Sequence, residues 1–284
     1  MNKYKKVVAS DLDGTIVKKG NIISESCKEM IKDFMKKTNN SFTIVTGRNY
    51  FSAVQHIVDL GITLPVIATN GTSVINPVTN EYVAQLHFSN EEGNKILDVI
   101  YETNLEFYLL NDFKIYTLRN NRFADEDKNK EHGFRILLED CMNFYDSREK
   151  LYHAIKTEVK GTFCSLNITC YDNKEKEYAL NLLKQFDVEI LEFFWDNHWT
   201  LEIYKKGAGK DWGLRALAKY LNISEDDLYV FGDEFNDYPM FKNFKNTYAM
   251  GNAIEGIKKL AKEVILPIDE DGVGVKIHQL LKEF

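Results

Sequence analysis

Asp11 and Asp13, in the run DLDGT, are the residues of this 284-residue sequence best placed to do chemistry. Two acids spaced i, i+2 at a strand end let one side chain and the neighbouring backbone face a common point, and oxygen donors of that hardness suit Mg²⁺. Gly14 permits the tight turn that follows. Taken alone, the pair reads equally well as an Asp-Gly turn with solvated carboxylates. Other predicted strands also end in polar residues: SFTIVTGR closes on Thr46, Gly47 and Arg48, and LYVFGDEFND on Gly232, Asp233, Asn236 and Asp237. Lys210 opens the helix that follows TLEIY. If those strands are parallel, their ends project to one edge, where acids, a hydroxyl and a lysine converge. A divalent cation would relieve the repulsion among the acids, and Lys210 supplies a second positive charge where an anion could sit.

The elements that must position these residues follow from hydrophobic patterning. KVVASDL, Ser24 to Lys37, SFTIVT, Ser52 to Leu60 and PVIAT alternate short apolar runs with amphipathic segments, a βαβαβ order. Such an order implies a parallel sheet covered on both faces, with ligands at the carboxyl ends of its strands. Ser26 with Glu29 suggests a capping box, and Gly61 stands where a helix-ending glycine is expected. After Asn70-Gly71 the pattern shifts to short strands around a turn at Asn76-Pro77. Helices are then predicted near 89–103, 148–159 and 172–186, with strands at 107–110, 114–117, 162–170 and 188–194. From about Trp199 the first style returns, beginning with TLEIY. The expected architecture is α/β: a Rossmann-like parallel-sheet core, residues 1–81 and 198–284, interrupted by an inserted α/β cap domain, residues 82–197.

At this point the sequence resembles a known family. DLDGT, the Thr46-Gly47-Arg48 strand end, Lys210 and GDEFND are similar, in order and spacing, to the four motifs of the haloacid dehalogenase-like phosphohydrolases. Asn70-Gly71, NDYPMF from Asn236, AMGNA and DEDGV from Asp269 resemble the Cof-type branch, which carries a large α/β cap between the second and third motifs. The sequence departs from the commonest pattern of that branch at Asp211, where glycine often follows the lysine, and at Asp269, where asparagine is frequent.

The resemblance implies roles. Asp11 is the nucleophile that attacks phosphorus and becomes a phospho-aspartyl intermediate, and Asp13 is the acid and base. Mg²⁺ is held by Asp11, the Asp13 carbonyl and Asp233, with Asp237 acting through water. Thr46 and the Leu12 and Gly47 amides bind phosphoryl oxygens, Lys210 neutralises their charge, and Asn236 adds a polar contact. Asp13 points to a phosphatase or phosphomutase, since related transport ATPases have threonine there. The implied activity is a Mg²⁺-dependent phosphomonoesterase acting on a small metabolite such as a sugar phosphate, with the insert as a lid. A phosphomannomutase-like mutase and a non-catalytic phosphometabolite-binding regulator are the alternatives.

Composition bounds the partners. The net charge of −7 gives no general field for nucleic acid or anionic lipid, which leaves a small phosphate ester as the expected partner. No apolar run approaches bilayer length and the amino-terminal run is broken early by acids, so a cytoplasmic location is expected. Cys27, Cys141, Cys164 and Cys170 form no CxxC pair and no local zinc spacing, and they read as buried thiols. The six histidines show no HExxH pattern. GAGKD, from Gly207 to Asp211, fails as a nucleotide-binding loop, having Tyr204 and Asp211 where glycine and a hydroxyl residue are needed. Phe193, Phe194, Trp195 and Trp199 read as packing residues, and Arg119 and Arg122 as part of a solvated loop.

Overall fold

A computed structural model of the chain describes residues 4–119, 141–159, 163–195 and 197–284. It divides into two compact units. One comprises the described residues up to Gln85 together with Gly209–Phe284, and the other the described residues from Leu86 to Ala208.

The outer unit starts with β1 (Val7–Ser10), in which every residue is buried, as expected of a strand covered on both faces. α1 (Glu25–Lys37) is capped by Ser24, whose hydroxyl accepts a hydrogen bond from the Cys27 amide. The cap therefore falls two residues before the predicted Ser26, because Ser24 keeps extended backbone angles and Glu25 is already helical. Cys27, Ile31, Phe34 and Met35 form the buried stripe of α1. β2 (Phe42–Ile44) pairs in parallel with β1. After α2 (Tyr50–Leu60), β3 (Val66–Ala68), β4 (Ser73–Asn76) and β5 (Glu81–Gln85) form an antiparallel sheet. A parallel bridge from Val45, the residue after β2, to Ile67 links it to the main sheet just before Thr46.

The insert runs α3 (Asn90–Tyr101), β6 (Glu106–Leu110), β7 (Ile115–Leu118), β8 (Met142–Tyr145), α4 (Arg148–Glu158), β9 (Ser165–Cys170), α5 (Asn173–Leu183), β10 (Val188–Trp195) and β11 (His198–Lys205). Its six strands lie in the order β10-β11-β9-β6-β7-β8, antiparallel except for the parallel pair β7 and β8. Ile96, Leu97, Leu151 and Ile155 from the helices pack on Phe107, Leu166, Ile168, Leu201 and Ile203 of the sheet. TLEIY, expected at the return to the outer unit, lies here as part of β11. The chain turns at Asn197, where φ is +62°, and the register pairs Trp195 with His198, so β10 and β11 are a hairpin. Leu201 and Ile203 are buried in the insert's own core, which fixes the strand to that sheet.

The chain re-enters the outer unit with α6 (Lys210–Leu221), followed by β12 (Leu228–Gly232), α7 (Tyr238–Asn243), β13 (Asn246–Ala249), α8 (Glu255–Lys258), β14 (Glu263–Val264) and α9 (Gly272–Leu280). The main sheet has the order β14-β13-β12-β1-β2, with every pair parallel. β1 thus lies between β12 and β2, and the carboxyl ends of all three share one edge. Among the described residues no helix is long and apolar enough to cross a membrane.

Candidate active site

Asp11 directly follows β1 and is anchored by its amide, which donates to the Phe231 carbonyl of β12 at 3.0 Å. The same sheet edge carries Asp233 just beyond β12. Ligand oxygens of Asp11, Asp233 and Asp237 all lie within 4.8 Å of one another. Lys210, the first residue of α6, reaches into this group from a fully buried position. Its Nζ donates to Asp11 Oδ1 at 2.7 Å and to Asp237 Oδ1 at 2.5 Å. The second oxygen of Asp237 accepts from the amides of Asp233, at 2.7 Å, and Glu234, at 3.1 Å. Asp237 therefore ties the lysine to the loop that carries Asp233.

The turn after Asp11 is built around Asp233. Thr15 Oγ1 donates to Asp233 Oδ1 at 2.8 Å. Gly14 has φ +76°, and a Cβ there would stand 2.1 Å from Asp233 Oδ2. The glycine thus meets two demands at once, a left-handed backbone and contact with a carboxylate.

Electrostatics follow from two buried acids, Asp11 and Asp237, and the half-buried Asp233 facing one buried base. Burial raises the Asp11 carboxyl well above the ordinary carboxylate range; Lys210 opposes this, and Asp237 and Asp233 add to it. Burial, then the nearby Asp237 charge, pushes Asp233 up to about 7, against the pull of the Thr15 hydroxyl. Burial alone would lower the pKa of Lys210, but Asp11 and Asp237 overcome it and raise the group above its usual value, so the ammonium persists. The excess of negative charge and the all-oxygen donor set fit a hard divalent cation.

Asp13 stands apart from this cluster. Its side chain is 57% exposed, and Arg48 holds it through two contacts, Nε to Oδ2 at 2.7 Å and Nη2 to Oδ1 at 2.5 Å. Arg48 Nη1 also donates to Asn21 Oδ1 at 2.8 Å, and His56 Nε2 lies 2.8 Å from that same oxygen. Burial, followed by the Arg48 charge, lowers His56 to about 4, so the ring is neutral near pH 7 and its Nε2–H donates.

Thr46 is fully buried, and its hydroxyl accepts from the Arg48 amide at 3.1 Å. Asn236 Nδ2 donates to Asn70 Oδ1 at 3.0 Å, beside Gly47. The Leu12 and Gly47 amides have no acceptor among the described residues. The structure thus brings Asp11, Lys210, Asp233 and Asp237 into contact, with Thr46, Gly47 and Asn236 on neighbouring strand ends. Sequence reasoning named Arg48 only as a strand end and missed its clasp on Asp13; it passed over Asn21, His56 and Thr15. A charged residue directly after Thr46-Gly47 was the available signal for Arg48.

Outside this edge, Arg119 pairs with Asp146 at 3.0 Å, and Arg122 lies outside the described residues. Phe194 packs against Trp199, whose ring also carries the Lys176 ammonium 3.7 Å from its centroid. The four cysteines are buried and unbridged.

Known proteins resemble this chain along nearly its whole length. The chain is 29% identical to 5-amino-6-(5-phospho-D-ribitylamino)uracil phosphatase YwtE of Bacillus subtilis, over 97% of its own length and 98% of the relative's. It is 27% identical to the phosphatase YitU of the same organism, named for the same compound, over 98% and 97%. A haloacid dehalogenase-like hydrolase structure from Bacteroides thetaiotaomicron superposes with a TM-score of 0.78 at 20% identity, covering 98% of this chain and all of that one. The model of the family described as haloacid dehalogenase-like hydrolase matches residues 8–277, and the chain belongs to that family.

Proposed function

We propose that the chain is a Mg²⁺-dependent phosphomonoesterase that hydrolyses a small phosphorylated metabolite, a sugar phosphate by preference, through a phospho-aspartyl intermediate. The observation that carries this reading is the buried Lys210 ammonium shared by Asp11 and Asp237, with Asp233 in the same cluster. An anionic carboxylate can attack an anionic phosphate only where cations offset their repulsion, and this arrangement fixes one cation against the attacking group.

Asp11 attacks phosphorus. Asp13 protonates the leaving alkoxide and then takes a proton from the water that cleaves the acyl phosphate. Arg48 fixes the Asp13 carboxylate through both of its oxygens. Lys210 neutralises phosphoryl charge, while the Leu12 and Gly47 amides and the Thr46 hydroxyl bind phosphoryl oxygens and Asn236 adds a polar contact. Asp11, the Asp13 carbonyl and Asp233 would hold Mg²⁺; Asp237, with both oxygens already bonded in the protein, would act on its water shell. The ion supplies charge neutralisation between nucleophile and phosphate.

The choice of leaving group is assigned to the insert, which interrupts the chain between the second and third motifs. Two Bacillus relatives named for a phosphorylated ribityl compound support a sugar-like or polyol ester. No nucleic-acid or membrane partner enters this reading, and the unbridged cysteines support a cytoplasmic location. Hydrolysis of an aryl phosphate with Mg²⁺, followed by a panel of sugar phosphates and 5-amino-6-(5-phospho-D-ribitylamino)uracil, tests it. Asp11→Asn should lower turnover by about a thousandfold or more. Equal rates for the wild type, Asp11→Asn and Asp13→Asn would discard the assigned site.

A further inference from the structure

A second cluster of ligand-type side chains lies wholly within the insert and is independent of the proposed reaction. His87 stands near the start of the insert, Asp112 just beyond β6, and Cys164 just before β9. His87 Nε2 is 3.6 Å from Asp112 Oδ2, Cys164 Sγ is 3.4 Å from that same nitrogen, and Cys164 Sγ is 3.3 Å from that same oxygen. The three side chains are 3%, 0% and 0% exposed, which takes all three away from solvent.

The closed triangle has a metrical consequence. A point at its centre is roughly 2 Å from each of the three atoms, the length of a zinc bond to nitrogen or oxygen and slightly under that to sulfur. Usual zinc bond lengths at tetrahedral angles give edges of about 3.3 Å between nitrogen and oxygen and about 3.5 Å to sulfur; the observed edges are 3.6 Å between nitrogen and oxygen and 3.4 and 3.3 Å to sulfur, so shifts of a few tenths of an ångström bring the trio to zinc geometry. The backbone presets the arrangement. The Phe88 amide donates to the Phe163 carbonyl at 3.1 Å, in a bridge that sets His87 beside Cys164. Asn111 Oδ1 accepts from the Phe113 and Lys114 amides, at 3.0 and 2.7 Å, in a turn that presents Asp112. Sequence spacing could not disclose the cluster, because Cys164 is 52 residues from Asp112 and 77 from His87.

We propose that His87, Asp112 and Cys164 bind one Zn²⁺ that fastens the first residues of the insert to the ends of β6 and β9. A mixed nitrogen, sulfur and oxygen donor set selects zinc over Mg²⁺ or Ca²⁺. On binding, the Cys164 thiol releases its proton to solvent and coordinates as thiolate, Asp112 coordinates as carboxylate, and the neutral His87 ring donates its Nε2 lone pair and keeps its proton on Nδ1. A water takes the fourth position.

The test uses the full chain, stripped with chelator and titrated with Co²⁺ in excess Mg²⁺, which occupies the acidic oxygen site. One equivalent of Co²⁺ should produce tetrahedral visible bands and a near-ultraviolet thiolate-to-cobalt charge-transfer band, both bleached by one equivalent of Zn²⁺. Cys164→Ser should abolish the charge-transfer band, whereas Cys170→Ser should keep it. His87→Gln retains the thiolate and should weaken Zn²⁺ binding by about tenfold or more, a decision that stands even if Cys164→Ser fails to fold. A wild-type protein that takes up cobalt with no charge-transfer band, or a His87→Gln variant with unchanged zinc affinity, would show the trio to be a hydrogen-bonded cluster and overturn the proposal.

Discussion

Arg48 shows how a side chain outside the acidic cluster can still govern the chemistry proposed for it. Its guanidinium fork meets both Asp13 oxygens, and a lysine could meet them only as a point charge. Arg48→Lys should therefore lower kcat on an aryl phosphate by about tenfold while leaving KM within about twofold, because the acid is misplaced and the phosphate site is untouched. A steady-state comparison checks this, and an unchanged kcat would separate Arg48 from Asp13's role. Behind the arginine, His56 gives a pH signature. Its folded pKa of about 4 lies below the ordinary 6.5, because of burial first and Arg48 second. The neutral ring is favoured in the folded state, so its contribution is fully present above pH 6.5 and is lost as pH falls from there toward 4. The urea midpoint of the wild type should consequently drop further between pH 7 and pH 4.5 than that of His56→Gln; equal drops would contradict the assigned shift.

Strand ends explain why so much of the site was legible. In a parallel sheet the residue after each buried run must emerge at the carboxyl edge, so the ends of β1, β2 and β12 sufficed to place Asp11, Thr46 and Asp233 near one another, whereas Lys210 follows a strand of the insert's sheet and its place in the site was legible only through the family resemblance. The clasp of Arg48 on Asp13 was not legible, because it depends on the twist of a turn that also brings in Asn21 and His56. The assignment of TLEIY to the outer unit failed for a related reason: its alternation suits either sheet, and the hairpin turn at Asn197 decides between them. β8 escaped notice because MNFY is short and only partly buried. Gly14 tests the element that was read correctly. Gly14 and Gly20 both have left-handed backbone, but a Cβ at Gly20 would meet nothing nearer than 3.7 Å, whereas one at Gly14 would displace Asp233. Gly20→Ala should cost about 1 kcal/mol of stability and leave turnover intact, while Gly14→Ala should lose about a hundredfold or more in activity at a similar backbone cost. Equal activity in the two variants would show that the Gly14 contact is dispensable.

At the scale of the whole molecule, the acidic edge is a concentrated debt of charge in a chain already carrying −7. Two buried carboxylates and a half-buried one face one lysine, and the outcome is a folded state that binds protons more tightly than the unfolded chain does. Asp233, held at about 7 against an ordinary 3.8, sets the window: its contribution is fully present below the ordinary value and is lost as pH climbs through the folded one. Burial, the first cause of that shift, cannot be relieved without unfolding, but a cation bound by the same carboxylates cancels their mutual repulsion and makes the ionised form the favoured one. In chelator, the melting temperature of the wild type should therefore decline between pH 5 and pH 8 more than it does in Mg²⁺, and the rise produced by Mg²⁺ should be larger at pH 8 than at pH 5. Asp233→Asn should flatten both trends, because it removes the titrating group and a proposed metal ligand together. Thermal melts followed by circular dichroism decide the matter: a Mg²⁺-induced rise of equal size at the two pH values would mean that the ion does not bind through these carboxylates.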